Sequence, residues 1–215
     1  MTFKRADRTM HIAEYIHTTY FVQPILPLLS KTFITPNMIT IGNIIYSFLI
    51  YYWAYYNEFI YVALGVQVYL FLDILDGNLA RYAKLQSSFG AWLDNTYDRI
   101  FYTLLLFFIG LNSVPIILLV LVLILINLYA WLATYYIVPR LRKLKQVQRR
   151  SLKKWFIDRG LIIGMDVGTV MIIITICLLF QQPLLLYIIL FVGFVIDILA
   201  RLTELWSNMK REGLR

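Results

Sequence analysis

The chain has 215 residues, 60% of them hydrophobic and only 15% charged, with a formal net charge of +8 and a mean hydropathy of +0.71. A soluble domain runs at roughly 45–50% apolar and about 25% charged, so this composition argues against soluble, secreted, disulfide-stapled and nucleic-acid-binding classes. It predicts an integral membrane protein in which the lone Cys177 is a small buried hydrophobe and the basic excess reports orientation and attraction to anionic headgroups.

From Arg8 to Ser30 the sequence mixes Met10, Ile12, Ile16, Tyr20 and Phe21 with His11, Glu14, His17 and Thr18. This is too polar to span and reads as an amphipathic helix lying in the interface, ended by Pro24 and Pro27. No apolar region or cleavage site follows Lys4, Arg5 and Arg8, so no signal peptide is expected. Six apolar segments come next: Met38–Tyr56, Phe59–Ala80, Gly90–Leu111, Pro115–Val138, Leu161–Phe180 and Leu184–Leu205, each near the length of about 20 residues that a spanning helix needs. The expected organisation is therefore an all-α, six-helix membrane domain over residues 35–206, an interfacial segment over 1–34 and a basic tail over 207–215.

The connectors alternate. Those at Asn57-Glu58, Asn112-Ser113 and Gln181–Pro183 carry no Lys or Arg. The connector 81–88 carries Arg81 and Lys84, and the one from Pro139 to Gly160 carries nine basic residues. The positive-inside bias places these two, and both termini, on the cytoplasmic side of an inner or cytoplasmic membrane. Six spans with both ends on one side are self-consistent.

An Asp at the centre of a spanning helix costs about 2.5–3.5 kcal/mol on insertion scales. Yet the second and third spans carry Asp73, Asp76, Asp94 and Asp98 at their cytoplasmic ends. Spacings of i,i+3 and i,i+4 put each pair along one helix face, and the short 81–88 turn predicts adjacent, antiparallel helices whose faces converge. Four carboxylates in one place need counter-charge, and Arg81 and Arg99 do not suffice. Hard oxygen ligands in charge deficit read as a site for two divalent ions, Mg²⁺ or Mn²⁺. Gly77, Ala80 and Gly90 on the same faces permit close approach by a helix or a ligand. On these features alone a divalent-cation transporter competes with an enzyme.

Residues 73–98 read D-I-L-D-G-N-L-A-R, eight residues, then G-A-W-L-D-N-T-Y-D. This resembles the CDP-alcohol phosphotransferase signature, D-x2-D-G-x2-A-R-x8-G-x3-D-x3-D, at Asp73, Asp76, Gly77, Ala80, Arg81, Gly90, Asp94 and Asp98. The start of the first span, Pro36-Asn37-Met38-Ile39-Thr40, is similar to the same family. The resemblance implies transfer of a substituted phosphate from a CDP-alcohol, with CDP-diacylglycerol the expected donor, to an acceptor hydroxyl, releasing CMP in phospholipid synthesis. It implies Asp73, Asp76, Asp94 and Asp98 as metal ligands and Asp98 as general base. Asp73, Gly77, Ala80, Arg81 and Asn37 would hold the CDP group. It also implies membrane lipid and a homodimer as partners.

The context L-D-N-T-Y-D-R around Asp94 resembles members that take inositol phosphate, with departures at Asn95 and Tyr97. That reading makes Arg159, at the start of the fifth span, an acceptor-binding residue. Asp166, Asp197 and Arg201 are further charges in the last two spans, with Asp197 and Arg201 spaced as an internal i,i+4 pair. His11 and His17, six apart, share no helix face well and predict no metal site.

Overall fold

A computed structural model of the protein describes residues 10–144, 161–162 and 164–213. Nearly all of them are helical. The N-terminal rod joins α1 (Ile12–Ile16), a π-helical turn (His17–Val22) and α2 (Gln23–Leu29). Then come α3 (Pro36–Tyr55), α4 (Phe59–Tyr82), α5 (Ser88–Leu111) and α6 (Ile116–Trp131). A second π-helical stretch (Leu132–Ile137) leads from α6 into α7 (Val138–Lys143). Finally come α8 (Val167–Leu179) and α9 (Pro183–Arg211). The strand content described is one two-residue parallel pairing, β1 (Met10–His11) with β2 (Leu161–Ile162).

The helices form a closed ring. α4 packs on α3 and α8, α3 on α5, α5 on α6, α6 on α9, and α9 on α8. Its interior is apolar: Ile50 and Ala54 of α3, Val62 and Val66 of α4, Leu105 and Ile109 of α5, Ile174 of α8 and Leu190 of α9 are fully buried. Polar groups cross-link the helices as well. Gln67 of α4 donates to Thr175 of α8 at 2.6 Å, and the Tyr187 hydroxyl of α9 donates to the Leu106 carbonyl of α5. Gly110 makes the second link possible, since a Cβ there would stand 2.6 Å from the Tyr187 oxygen. Among the described residues, three helices are long and apolar enough to cross a membrane: Phe59–Tyr82, the continuous Ile116–Lys143, and Pro183–Arg211. The fold is that of the polytopic all-α membrane protein the composition predicts.

Three expectations change. The chain stays helical through Pro24 and Pro27. Pro24 lies in the first turn of α2, where a missing N–H is least felt, just after a π-helical turn that already resets the hydrogen-bond ladder. Pro27 forfeits one backbone bond, offset by burial of Val22 and Leu26 against Leu75 and Leu79 of α4. Next, the fifth helix begins at Val167 rather than Leu161, because Leu161–Ile162 pair with the N-terminal strand and Asp166 caps the helix. Last, the expected direct packing of the second and third spans gives way to packing through the first: α3 packs against both α4 and α5, and α4 meets α5 through side chains, with Tyr69 stacked on Phe101 at 3.5 Å between ring centroids.

Candidate active site

The two halves of the D-x2-D…D-x3-D stretch fall on the ends of α4 and α5 that flank the turn between them. α4 runs unbroken to Tyr82, so Asp73 and Asp76 stand within its last three turns. α5 opens on Ser87, whose hydroxyl accepts from the Gly90 N–H at 3.0 Å; such a cap is worth about 1 kcal/mol. From that fixed start, Gly90, Asp94 and Asp98 follow on one face.

Asp73, Asp94 and Asp98 each offer an oxygen within 4.8 Å of the other two. Asp76 stands slightly apart: it is buried, and the Thr40 hydroxyl of α3 donates to it at 2.5 Å. All four acids line one narrow cleft with Thr40, Asn43 and Tyr69. The Tyr69 hydroxyl donates to Asp98 at 3.2 Å. The structure thus brings the four predicted acids together, with three in mutual reach and the fourth tied to α3.

The cleft separates two cavities. The smaller, about 200 Å³, is lined by Asn37, Gly77, Ala80, Arg81, Gly90 and Asp94, among others. Of the residues expected to hold CDP, only Asp73 is absent from its wall. Gly90 keeps its wall close, since a Cβ would lie 2.7 Å from Asn37 Oδ1 and 2.9 Å from Ser87 Oγ and would displace both side chains. Gly77 meets only the far end of Arg81, at 3.4 Å. The larger cavity, about 600 Å³, is walled by Asp98 and Arg99 of α5, Tyr129 of α6, Asp166, Arg201 of α9 and His11. Asp94 faces one space and Asp98, one turn on, faces the other.

The predicted pair in the last helix forms: Arg201 Nε donates to Asp197 at 3.0 Å. The same Asp197 oxygen also accepts from the Tyr129 hydroxyl at 2.7 Å and from the Met165 N–H at 3.1 Å. Asp166 accepts from the Gly168 N–H at 3.0 Å and the Thr169 hydroxyl at 2.6 Å. Arg159 lies outside the described residues. Among the site members that escape the sequence reading are Tyr69, Thr40 and His11. Tyr69 carried a signal, one turn before Asp73 on the same face. Thr40 lies within the Pro-Asn-Met-Ile-Thr stretch, but its partner is not legible there. His11 had none, since it reaches the cavity only because β1 pairs with β2.

The chain is thus a helical membrane bundle with a carboxylate cluster between two cavities. Residues 33–206 match the family described as CDP-alcohol phosphatidyltransferase, and the chain belongs to that family. It is 40% identical over 80 residues to archaetidylinositol phosphate synthase of Pyrococcus horikoshii, a stretch covering 37% of this chain and 43% of that protein. It is 29% identical over 85 residues to phosphatidylinositol phosphate synthase of Streptomyces avermitilis, covering 38% of this chain and 34% of the relative. These matches span less than half the length of either relative. The fold is similar to a crystal structure of Mycobacterium tuberculosis phosphatidylinositol phosphate synthase with CDP-DAG bound, with a TM-score of 0.58 and 17% identity over 91% of this chain and 94% of that one.

Proposed function

We propose that the protein is a divalent-metal-dependent transferase that moves a phosphatidyl-type group from CDP-diacylglycerol to the hydroxyl of a phosphorylated alcohol, inositol phosphate being the favoured acceptor, and releases CMP. The observation that carries this reading is the separation of Asp94 and Asp98 into two cavities that share one carboxylate cleft. A reaction joining two bound molecules needs two spaces with the reacting atoms at their common wall.

The donor set fits a hard cation: oxygens within 4.8 Å of one another match ions that take oxygen ligands at about 2.0–2.6 Å. Asp73, Asp94 and Asp98 would hold such an ion, with Asp76 available beside them for a second. When bound, Mg²⁺ or Mn²⁺ neutralises charge on the diphosphate and the departing CMP.

The chain's own residues do the rest. The smaller cavity accepts the cytidine nucleotide, where Gly77 and Ala80 leave room and Arg81 faces phosphate. Asp98, at the wall of the larger cavity, takes the proton of the acceptor hydroxyl. The acceptor oxygen bonds to the phosphorus distal to cytidine as the bond from that phosphorus to the oxygen of CMP breaks. Six spans with both termini and the site at the cytoplasmic face complete the proposal, supported by the distribution of Lys and Arg. The test is release of CMP by purified protein given Mg²⁺, CDP-diacylglycerol and a panel of acceptors. Metal flux with no CMP release from any acceptor identifies a cation transporter instead.

A further inference from the structure

The larger cavity has a wall that no signature residue supplies. His11 reaches it from the N-terminal strand, and its Nδ1 lies 3.0 Å from Asp166 Oδ1. Asp166 is itself fixed: it caps α8 by accepting from the Gly168 N–H, and it accepts from the Thr169 hydroxyl. The strand is anchored by its pairing with Leu161–Ile162, and α1 packs on α8. His11 Nδ1 thus stands at ion-pair distance from the Asp166 carboxylate, outside hydrogen-bond geometry, and His11 lines the cavity beside it. Arg201 stands in the same wall, likewise backed by a carboxylate. We propose that His11, set beside Asp166, is an acceptor-binding residue: a ring nitrogen hydrogen-bonds to the polar headgroup of the acceptor alcohol and places that alcohol against Asp98.

This rests on the assignment of the larger cavity to the acceptor. The N-terminal segment is then a working part of the acceptor site as well as a membrane-side helix, and specificity for the acceptor is set partly outside the 73–98 stretch. Loss of one buried hydrogen bond to a charged or polar headgroup corresponds to about a tenfold loss of affinity.

The experiment uses the full chain in detergent–lipid micelles with Mg²⁺, CDP-diacylglycerol and myo-inositol 1-phosphate, following CMP. His11→Ala is expected to raise KM for inositol phosphate about tenfold and leave KM for CDP-diacylglycerol within twofold. His11→Gln, which keeps an amide nitrogen near the Nε2 position, should recover most of the loss. An unchanged acceptor KM in His11→Ala, or equal rises in both KM values, overturns the assignment. If the unsubstituted protein releases no CMP, the functional reading fails separately. Titration calorimetry with inositol phosphate then decides: binding to the unsubstituted chain that is lost in His11→Ala sustains the role, and equal or absent binding in both removes it.

Discussion

Tyr69 and Asp98 sit on different helices, yet the Tyr69 hydroxyl donates to the Asp98 carboxylate at 3.2 Å. The ring behind that hydroxyl is stacked on Phe101, one turn beyond Asp98, with the two planes 8° apart. Stack and hydrogen bond together fix where Asp98 points. A carboxylate that removes a proton must be aimed at it, so Tyr69 is a positioning residue for the proposed base.

Tyr69→Phe keeps the stack and deletes only the hydroxyl. The expected result is a fall in kcat of about tenfold, with both KM values within twofold and a stability change of about 1 kcal/mol or less. Steady-state CMP release and thermal unfolding of the same preparation check it. An unchanged kcat removes the positioning role.

Asp98→Asn removes the proposed proton acceptor while keeping size and polarity. Turnover should fall by at least a thousandfold, while binding of CDP-diacylglycerol, measured by displacement of a labelled CDP compound, stays within about fivefold. Asp73→Asn should instead weaken Mg²⁺ activation, shifting the metal concentration for half-maximal rate upward, because one of three converging oxygens loses its charge.

Thr40→Val removes a side-chain donor from a buried carboxylate. Asp76 is 4% exposed, and an unmade hydrogen bond to a buried group costs about 1–3 kcal/mol. The expected outcome is a Tm lower by several degrees, read by unfolding in detergent. A Tm equal to that of the unsubstituted protein contradicts this account of Thr40.

Gly90→Ala places a Cβ against Asn37 Oδ1 and Ser87 Oγ. Both side chains must move, so the α5 cap and one wall of the smaller cavity are disturbed together. KM for CDP-diacylglycerol should rise about tenfold or more while KM for the acceptor changes little. Ser87→Ala separates the two effects. It should cost only the cap, about 1 kcal/mol, with a donor KM near that of the unsubstituted chain.

Much of this was legible in the residues. The apolar runs are strong, and the helices fall close to them, as in Phe59–Tyr82 for an expected Phe59–Ala80. The four acids were legible because carboxylates in spans are expensive and their helical spacing is unambiguous. The failures share one cause: the deciding partner lies far along the chain. The pairing of β1 with β2 shortens the fifth helix and carries His11 into a cavity that its local spacing does not foresee. Pro24 reads as a breaker because local rules do not show the π-helical turn before it. Thr40 meets Asp76 only once α3 packs against α4.

In the proposed reaction the Asp73–Asp94–Asp98 cleft joins two substrates with a divalent ion. The most direct measurement is CMP release by the purified chain from CDP-diacylglycerol, with and without inositol phosphate, in Mg²⁺ and again after EDTA. The account predicts release that requires acceptor and metal together and returns when Mg²⁺ is restored. Release indifferent to EDTA, or no release with any acceptor while the carboxylates still bind metal, contradicts it.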